Sequence, residues 1–275
     1  VATSAQNHST SGFFAAKTVL ITGASSGLGL ALARIFAAEN ANLVLVSRSE
    51  EKLNAAAASL AVPAERVLVA AADVTRRAQV DAAVASGIER FGGIDLLISN
   101  AGLNVLGPFA DLPAEEAKRV FDINFLGAFH IVQAALHSLR KRPGSQIVLV
   151  SSILGLRAAP RSSVYCAAKF AVNGLAESLR MELKHEGVHV LVVCPGRLDT
   201  PFFDNARSLD GKQGLQLQRA MNADLAAAKI LSAIRSRKRL LIIPWWVRTL
   251  HWLNLWSPRL TDRLVENRFE KEGLL

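Results

Sequence analysis

The amino-acid sequence predicts an α/β fold: a doubly wound parallel sheet of about seven strands, helices on both faces, and a helical C-terminal extension. Three features point there. Short, almost wholly apolar runs recur along the chain, stretches with apolar residues at helical spacing separate them, and a glycine-rich turn joins the first run to the first helical stretch. Strands covered on both faces read as continuous apolar runs, and repeated strand–helix alternation with right-handed crossovers builds the doubly wound form.

The strands are expected at "KTVLI" (17–21), "NLVLV" (42–46), "RVLVA" (66–70), "IDLLIS" (94–99), "QIVLV" (146–150), "VHVLVV" (188–193) and "RLLIIP" (239–244). Between them, "GLALARIFAAEN" (29–40) and "VDAAVASGIERF" (80–91) carry the helical spacing. No repeat, low-complexity block or linker interrupts residues 17–244, which predicts one domain there. A polar tail, 1–16, precedes it, and a Trp-rich, basic, amphipathic extension, 245–275, follows.

Of the 275 residues, 51% are hydrophobic and 20% charged, which suits a chain with a sizeable core. No run reaches the roughly 18 apolar residues of a membrane span. The opening "VATSAQNHSTSG" lacks, as it stands, the basic and apolar regions of a signal peptide. Cys166 and Cys194 are too few for a disulfide framework, so a reducing, cytoplasmic setting is expected. His185 and His189 straddle Gly187, and no metal site is expected. The net charge is +9, and from Lys229 to Leu275 ten Lys/Arg against four Asp/Glu give 10 − 4 = +6. Such a bias suits nucleic acid, an anionic membrane or an anionic cofactor. No motif supports the first, and no nucleic acid is expected.

The first strand runs into "TGASSGLG" (22–29). A glycine-rich turn between strand and helix lets backbone N–H groups approach a pyrophosphate, which the helix dipole also favours. Gly23 makes the turn, Gly27 admits the phosphates, and Gly29 lets the helix pack closely.

A second motif is "VYCAAK" (164–169), which holds the only tyrosine in a chain with twelve phenylalanines and four tryptophans. Tyr165 and Lys169 stand at i and i+4, on one face of a helix. An ammonium roughly 5 Å from the phenol, at an effective dielectric of about 20, favours the phenolate by some 3 kcal/mol. The phenol, with an ordinary pKa of about 10, is thereby expected to titrate closer to neutrality and to serve as a general acid/base.

With "SNAG" (99–102), Asn124 in "DINFLGAF", Ser152 thirteen residues before Tyr165, and "CPGRLDT" (194–200), these motifs resemble the short-chain dehydrogenase/reductase family, in its order and spacing, from about residue 15 to residue 244. "SNAG" stands where "NNAG" is commoner, and the tail lies outside the shared core. The resemblance implies a Rossmann-type fold and a homodimer or homotetramer. It implies hydride transfer with Tyr165 as acid/base, Ser152 donating to the substrate oxygen, Lys169 on the nicotinamide ribose, and Asn124 holding a relay water.

Cofactor contacts are implied at Gly23, Ser25, Ser26, Gly27, Leu28 and Gly29 of the turn, and at Asn100, Ala101 and Gly102. Pro195, Gly196, Leu198 and Thr200 belong to the segment that closes over the nicotinamide, and Asp73 with Val74 resembles the adenine-binding pair. Ser47 replaces the Asp of NAD users and Arg48 follows it, so NADP(H) is the expected cofactor. Substrate contacts are implied at Leu103, Ile153, Leu154, Arg197 and Phe202. The resemblance implies a pocket bounded by "LNVLGPF" (103–109), "ILGLR" (153–157) and the loop after Pro195, roughly "RLDTPFFDNARSLDGKQGLQLQ" (197–218). The first two are mostly apolar and suit a lipophilic ketone or alcohol, such as a steroid or keto lipid. Arg157, Arg161 and Arg197 read either as receptors for an acidic group or as solvated charges.

The expected function is thus an NADP(H)-dependent carbonyl reductase/alcohol dehydrogenase. A catalytically silent NADPH-binding sensor or scaffold, and an epimerase or dehydratase of the same superfamily, are the alternatives. In the extension, Trp246, Leu250, Leu253, Trp256, Leu260 and Leu264 fall at steps of three or four, which predicts helices bent near Pro258 with one apolar side. That side is expected to dock on the protein itself or to make a peripheral contact with an anionic membrane. In the second case Arg248, Arg259, Arg263 and "RSRKR" (235–239) attract the lipid.

Overall fold

The computed structural model describes residues 12–212 and 220–275. Residues 1–11 of the polar tail, and 213–219 of the segment after Pro195 expected to border the substrate, lie outside the described residues.

Among the described residues the strands are, in chain order, β1 (Thr18–Thr22), β2 (Asn42–Ser47), β3 (Val67–Ala71), β4 (Leu96–Ser99), β5 (Val105–Leu106), β6 (Gln146–Val150), β7 (His189–Pro195), β8 (Leu198–Asp199), β9 (Arg207–Ser208), β10 (Met221–Asn222) and β11 (Leu240–Ile243). The helices are α1 (Gly27–Ala38), α2 (Glu50–Ala58), α3 (Arg77–Phe91), α4 (Ala114–Phe121), α5 (Gly127–Arg140), α6 (Ser163–Glu182), α7 (Pro201–Asp204), α8 (Ala223–Arg235), α9 (Val247–Trp256) and α10 (Pro258–Lys271).

The seven expected strands form one sheet in the order β11-β7-β6-β4-β1-β2-β3, every pairing parallel. Successive residues of a strand point to opposite faces. In β1, accordingly, Val19 and Ile21 join Phe36 of α1, Leu53 of α2 and Ile230 of α8 on one side. Leu20 joins Val84 of α3, Ile131 of α5 and Val172 of α6 on the other. Phe14, at the end of the polar tail, is buried edge-to-face against Phe36, with ring centroids 4.9 Å apart.

Chain order reverses at β1, which has β2 on one side and β4 on the other. In open α/β sheets the crevice beyond the carboxyl ends of the strands at such a point is where ligands bind. The short pairs β5·β9 and β8·β10 lie apart from the main sheet and were not expected. They fasten the segment after β7, since the Leu209 amide donates to the carbonyl of Leu106 at 2.8 Å and the Met221 amide to that of Arg197 at 3.0 Å.

The extension breaks at Ser257, between α9 and α10, as the proline predicts. The six residues expected to share one apolar side are not buried together on the protein. Val247, Thr261, Phe269 and Leu274 are the buried residues, whereas Trp246, Trp256, Leu260 and Leu264 are exposed, and Leu250 and Leu253 are half-buried. The "RSRKR" stretch precedes β11, at the opposite end of that strand from α9. Two of its cations are engaged there, Arg235 with Glu39 and Arg237 with the Gly144 carbonyl. No described helix is long and apolar enough to cross a membrane.

Candidate active site

The carboxyl end of β1 turns sharply at Gly23, whose φ of 67° is the left-handed region that glycine favours. Asn100 secures this turn from the end of β4. Its Nδ2 donates to the Thr22 carbonyl at 3.0 Å, while the amides of Asn100 and Ala101 donate to Thr22 Oγ1 at 2.9 and 3.0 Å. Helix α1 then starts at Gly27, with Ser26 extended ahead of it. Gly29 needs no side chain for a different reason: a Cβ there would lie 2.1 Å from the Gly23 carbonyl oxygen. The result is a bare backbone cradle at a helix N-terminus, which fits a diphosphate.

A cleft of about 640 Å³ opens over this cradle. Gly23, Ser25, Ser26, Gly27 and Leu28 line its floor, and Ala101 and Gly102 continue it from β4. Pro195, Gly196, Leu198 and Thr200 form the wall beyond β7. Gly29 lies behind the floor rather than in it.

At one end, Ser25 and Ser47 share a hydrogen bond between their hydroxyls at 3.0 Å, and Arg48 projects beside them, exposed. Lys52 and Ser49 line the same end. Sequence reasoning missed both, because a lone surface lysine near a helix start carries no signal of its own. Val74 lines the cleft, but Asp73 does not. The Asp73 carboxylate accepts from the Thr75 amide and hydroxyl at 2.9 and 2.8 Å, which closes a local turn.

At the other end, α6 carries Tyr165 and Lys169 into the cleft floor, only 5% and 4% exposed. Lys169 Nζ donates to the Val150 carbonyl at 3.0 Å and lies 5.6 Å from the centroid of the Tyr165 ring. Ser152 caps a short turn after β6, its Oγ accepting from the Leu154 amide at 3.1 Å. That contact uses an acceptor site and leaves the single hydroxyl hydrogen to face Tyr165.

Asn124 sits behind Gly102 in a π-helical turn, Asp122–Leu126, a backbone form that recurs at functional sites. Its Nδ2 donates to the carbonyls of Leu103 and Val120 at 2.7 and 2.8 Å. Its Oδ1 is buried without a hydrogen-bond partner among the described residues. A bound water commonly satisfies such an acceptor.

The expected direction of the Tyr165 pKa is corrected. Burial raises the phenol well above its ordinary 10, and the Ser152 hydroxyl offsets only part of that. Burial also pulls Lys169 down to about 8. Both groups lose hydration, and desolvation disfavours the charged form of each. The protein's own groups therefore hold the phenol protonated at neutral pH.

On the substrate side, Leu103 and Phe202 line the cleft, with the Phe202 ring centroid 5.9 Å from that of Tyr165. Ile153 and Leu154 pack behind the wall, and the Arg197 guanidinium lies over the Phe203 ring at 5.2 Å. Asn104, Phe203 and Asn205, from the segments expected to bound the pocket, also line the cleft, as does Arg119, which was not anticipated. The reading of Arg157 and Arg161 as acid receptors or solvated charges is also corrected. Arg157 pairs with Asp262 at 2.5 Å, and buried Arg161 makes a two-pronged pair with Asp210 at 2.8 and 2.7 Å.

Comparison with known proteins gives one result throughout. The sequence profile of the short chain dehydrogenase family matches residues 17–210. The oxidoreductase YxnA of Bacillus subtilis (strain 168) is 36% identical over 255 residues, which cover 91% of this chain and 71% of that protein. A short-chain dehydrogenase/reductase from Burkholderia phymatum, solved in complex with NAD, superposes with a TM-score of 0.80 at 26% identity, covering 90% of this chain and 95% of that one. An alcohol dehydrogenase from Thermococcus sibiricus, complexed with 5-hydroxy-NADP, gives 0.73 at 27% identity, covering 82% and 95%.

Proposed function

The chain belongs to the short-chain dehydrogenase family, and from that premise we propose that it is an NADP(H)-dependent oxidoreductase that interconverts a lipophilic ketone and its secondary alcohol. One observation carries the reading: Tyr165, Ser152 and Lys169 converge at the end of a cleft whose other end is a phosphate cradle. The bare turn at Gly23 and Gly27 and the helix start behind it fit a dinucleotide. Arg48 and Lys52, in place of a carboxylate at Ser47, favour the 2′-phosphate form.

A bound reduced nicotinamide supplies the hydride. The residues manage the oxygen and its proton. Ser152 donates its hydroxyl hydrogen to the substrate carbonyl oxygen as negative charge grows there. Tyr165, held protonated by burial, releases its proton from the hydroxyl oxygen to that same atom. Lys169 faces the ring that is left anionic, stabilises it, and is positioned to hold ribose hydroxyls. Asn124 offers an acceptor for a water through which the proton is replaced. Leu103 and Phe202 give the substrate end an apolar surface, which suits a lipophilic ketone.

We place the enzyme in the cytoplasm, as a homodimer or homotetramer, with a peripheral contact to an anionic membrane through residues 245–275. The discriminating experiment is NADPH oxidation across steroids, β-keto thioesters, keto lipids and aryl ketones. Turnover with at least one class, at a higher kcat/KM with NADPH than with NADH, is expected. Tight NADPH binding with no turnover in any class points instead to a sensor or scaffold.

A further inference from the structure

The extension leaves its most apolar side in solvent. Trp245 is 75% exposed, Trp252 54%, Leu255 58% and Trp256 85%, and Leu260 and Leu264 of α10 are exposed as well. Trp252, Leu255 and Trp256 stand at i, i+3 and i+4, on one side of α9. Val247, on the other side, is buried near Gly196 of the cleft wall. Single exposed leucines need no account, but indoles and leucines gathered on two adjoining helices do.

Charge and residue type indicate what covers this side. Helix α9 includes no Asp or Glu and carries Arg248, and Arg259 stands at the start of α10. Arg248 and Arg259 are exposed on α9 and at the start of α10, beside the indoles. The next acid in sequence, Asp262, is engaged with Arg157. A second copy brought α9 against α9 presents the same arginine and no carboxylate of that helix to meet it, the carboxylates of the extension lying on α10. An anionic head-group layer offers both the negative charge the arginines need and the half-wet depth that tryptophan prefers.

We propose that the exposed side of α9 and α10 docks on an anionic lipid bilayer, with α9 lying in the head-group layer. This deepens the peripheral contact of the function read above and rests on it, though not on the reaction assigned there. The opposite side of the pair is fastened to the cleft surroundings. Arg157, on the loop after Ser152, holds Asp262 of α10, and Lys212 Nζ donates to the Gly273 carbonyl at 2.7 Å. Docking therefore brings the substrate end of the cleft to the lipid, where a lipophilic ketone partitions.

All four tryptophans of the chain lie between 245 and 256, so intrinsic tryptophan emission reports this surface without a label. The full chain is mixed with vesicles of phosphatidylserine and phosphatidylcholine, or of phosphatidylcholine alone. Expected are flotation with the anionic vesicles, a blue shift, and quenching by lipids brominated in the acyl chain. W252S/W256S and R248Q should each bind anionic vesicles at least tenfold more weakly, with melting temperature and turnover of a water-soluble ketone unchanged. Absence of binding to anionic vesicles at low salt overturns the proposal. So does a concentration-dependent dimer in sedimentation that W252S/W256S abolishes, which assigns the surface to a second copy. Turnover in solution is read separately, so loss of the docking and loss of the assigned reaction are distinguishable.

Discussion

Lys169 lies over the ring of Tyr165, its Nζ 5.6 Å from the ring centroid and bonded to the Val150 carbonyl at 3.0 Å. The pair is thus a buried cation facing a π-system, with the cation tethered to the strand that leads to Ser152. Burial opposes charge on both partners, which raises the phenol and lowers the ammonium. A neutral tyrosine that can still give up a proton suits the reductive direction, in which an acid is required first.

Tyr165→Phe removes the proton donor and keeps the ring that packs with Val105 and Val120. Turnover is expected to fall by roughly 10²- to 10⁴-fold, with the fold and cofactor binding kept. Single-turnover kinetics beside NADPH titration by fluorescence checks this. Near-normal turnover would show that the proton comes from elsewhere.

Lys169→Met tests the buried charge through pH. The folded pKa of about 8 lies below the ordinary 10.5, so between these values the unfolded chain binds more protons than the folded one. Stability of the parent protein therefore rises with pH across that window, and the penalty of burying the charge is complete below pH 8. Relative to Lys169→Met, the parent should gain about 3 kcal/mol between pH 7 and 10.5, read from paired denaturant melts. A difference that stays flat with pH would mean that the lysine keeps its ordinary pKa where it is buried.

The main sheet was legible because a strand covered on both faces leaves a continuous apolar run. "NLVLV" differs from the observed β2 only by Ser47 at its end. The paired strands β5·β9 and β8·β10 were not legible, since two-residue strands are set by tertiary pairing and have no period. The cradle was read from glycine spacing, yet the proximity of Gly29 to Gly23 is a three-dimensional fact. Helical spacing put Tyr165 and Lys169 on one face but said nothing of their hydration, and hydration decides the direction of both pKa shifts. In the extension the spacing gave an apolar side without saying whether the protein or the solvent meets it. Lys52 and Arg119 reach the cleft only through the fold.

Gly29→Ala is predicted to damage the cradle. The added Cβ would lie 2.1 Å from the Gly23 carbonyl oxygen and 2.8 Å from Asn100 Nδ2, so the turn or α1 must shift. Overpacking of this kind costs typically about 1–3 kcal/mol, and the displaced phosphate-binding amides should weaken cofactor binding by tenfold or more. Calorimetric NADPH titration together with a thermal melt measures both. Full affinity in this variant would place the cofactor elsewhere.

Arg48→Asp addresses the 2′-phosphate. The side chain is exposed at the cleft end beside Ser47, where a carboxylate would repel the phosphate and accept from a ribose hydroxyl. Loss of the contact should cost about 1.5–3 kcal/mol, roughly ten- to a hundredfold in kcat/KM with NADPH, and NADH should gain relative to it. A parent enzyme indifferent to the phosphate would refute the NADP(H) assignment.

Asp210→Ala tests whether the segment after Thr200 shapes the substrate end of the cleft. Arg161 is buried and lies at a positive φ of 66°, its carbonyl accepting from the Gly107 amide at 3.0 Å while its guanidinium holds Asp210. This pair fixes the β5·β9 contact, and no strand of the main sheet takes part in it. Removing the carboxylate leaves a buried guanidinium unpaired, which loosens the local segment rather than the whole fold. The expected result is a KM for ketone raised by about tenfold, with kcat changed less and NADPH affinity kept. Arg161 holds the Asp210 carboxyl well below the usual carboxylate range, so its contribution is complete above the unfolded value and is lost only as pH falls through the lowered one. The parent should therefore keep its low KM at pH 5, where an unpaired aspartate already begins to protonate. Steady-state kinetics of parent and variant at pH 5 and 7 decides the matter, and an unchanged KM in the variant would remove this segment from the substrate site.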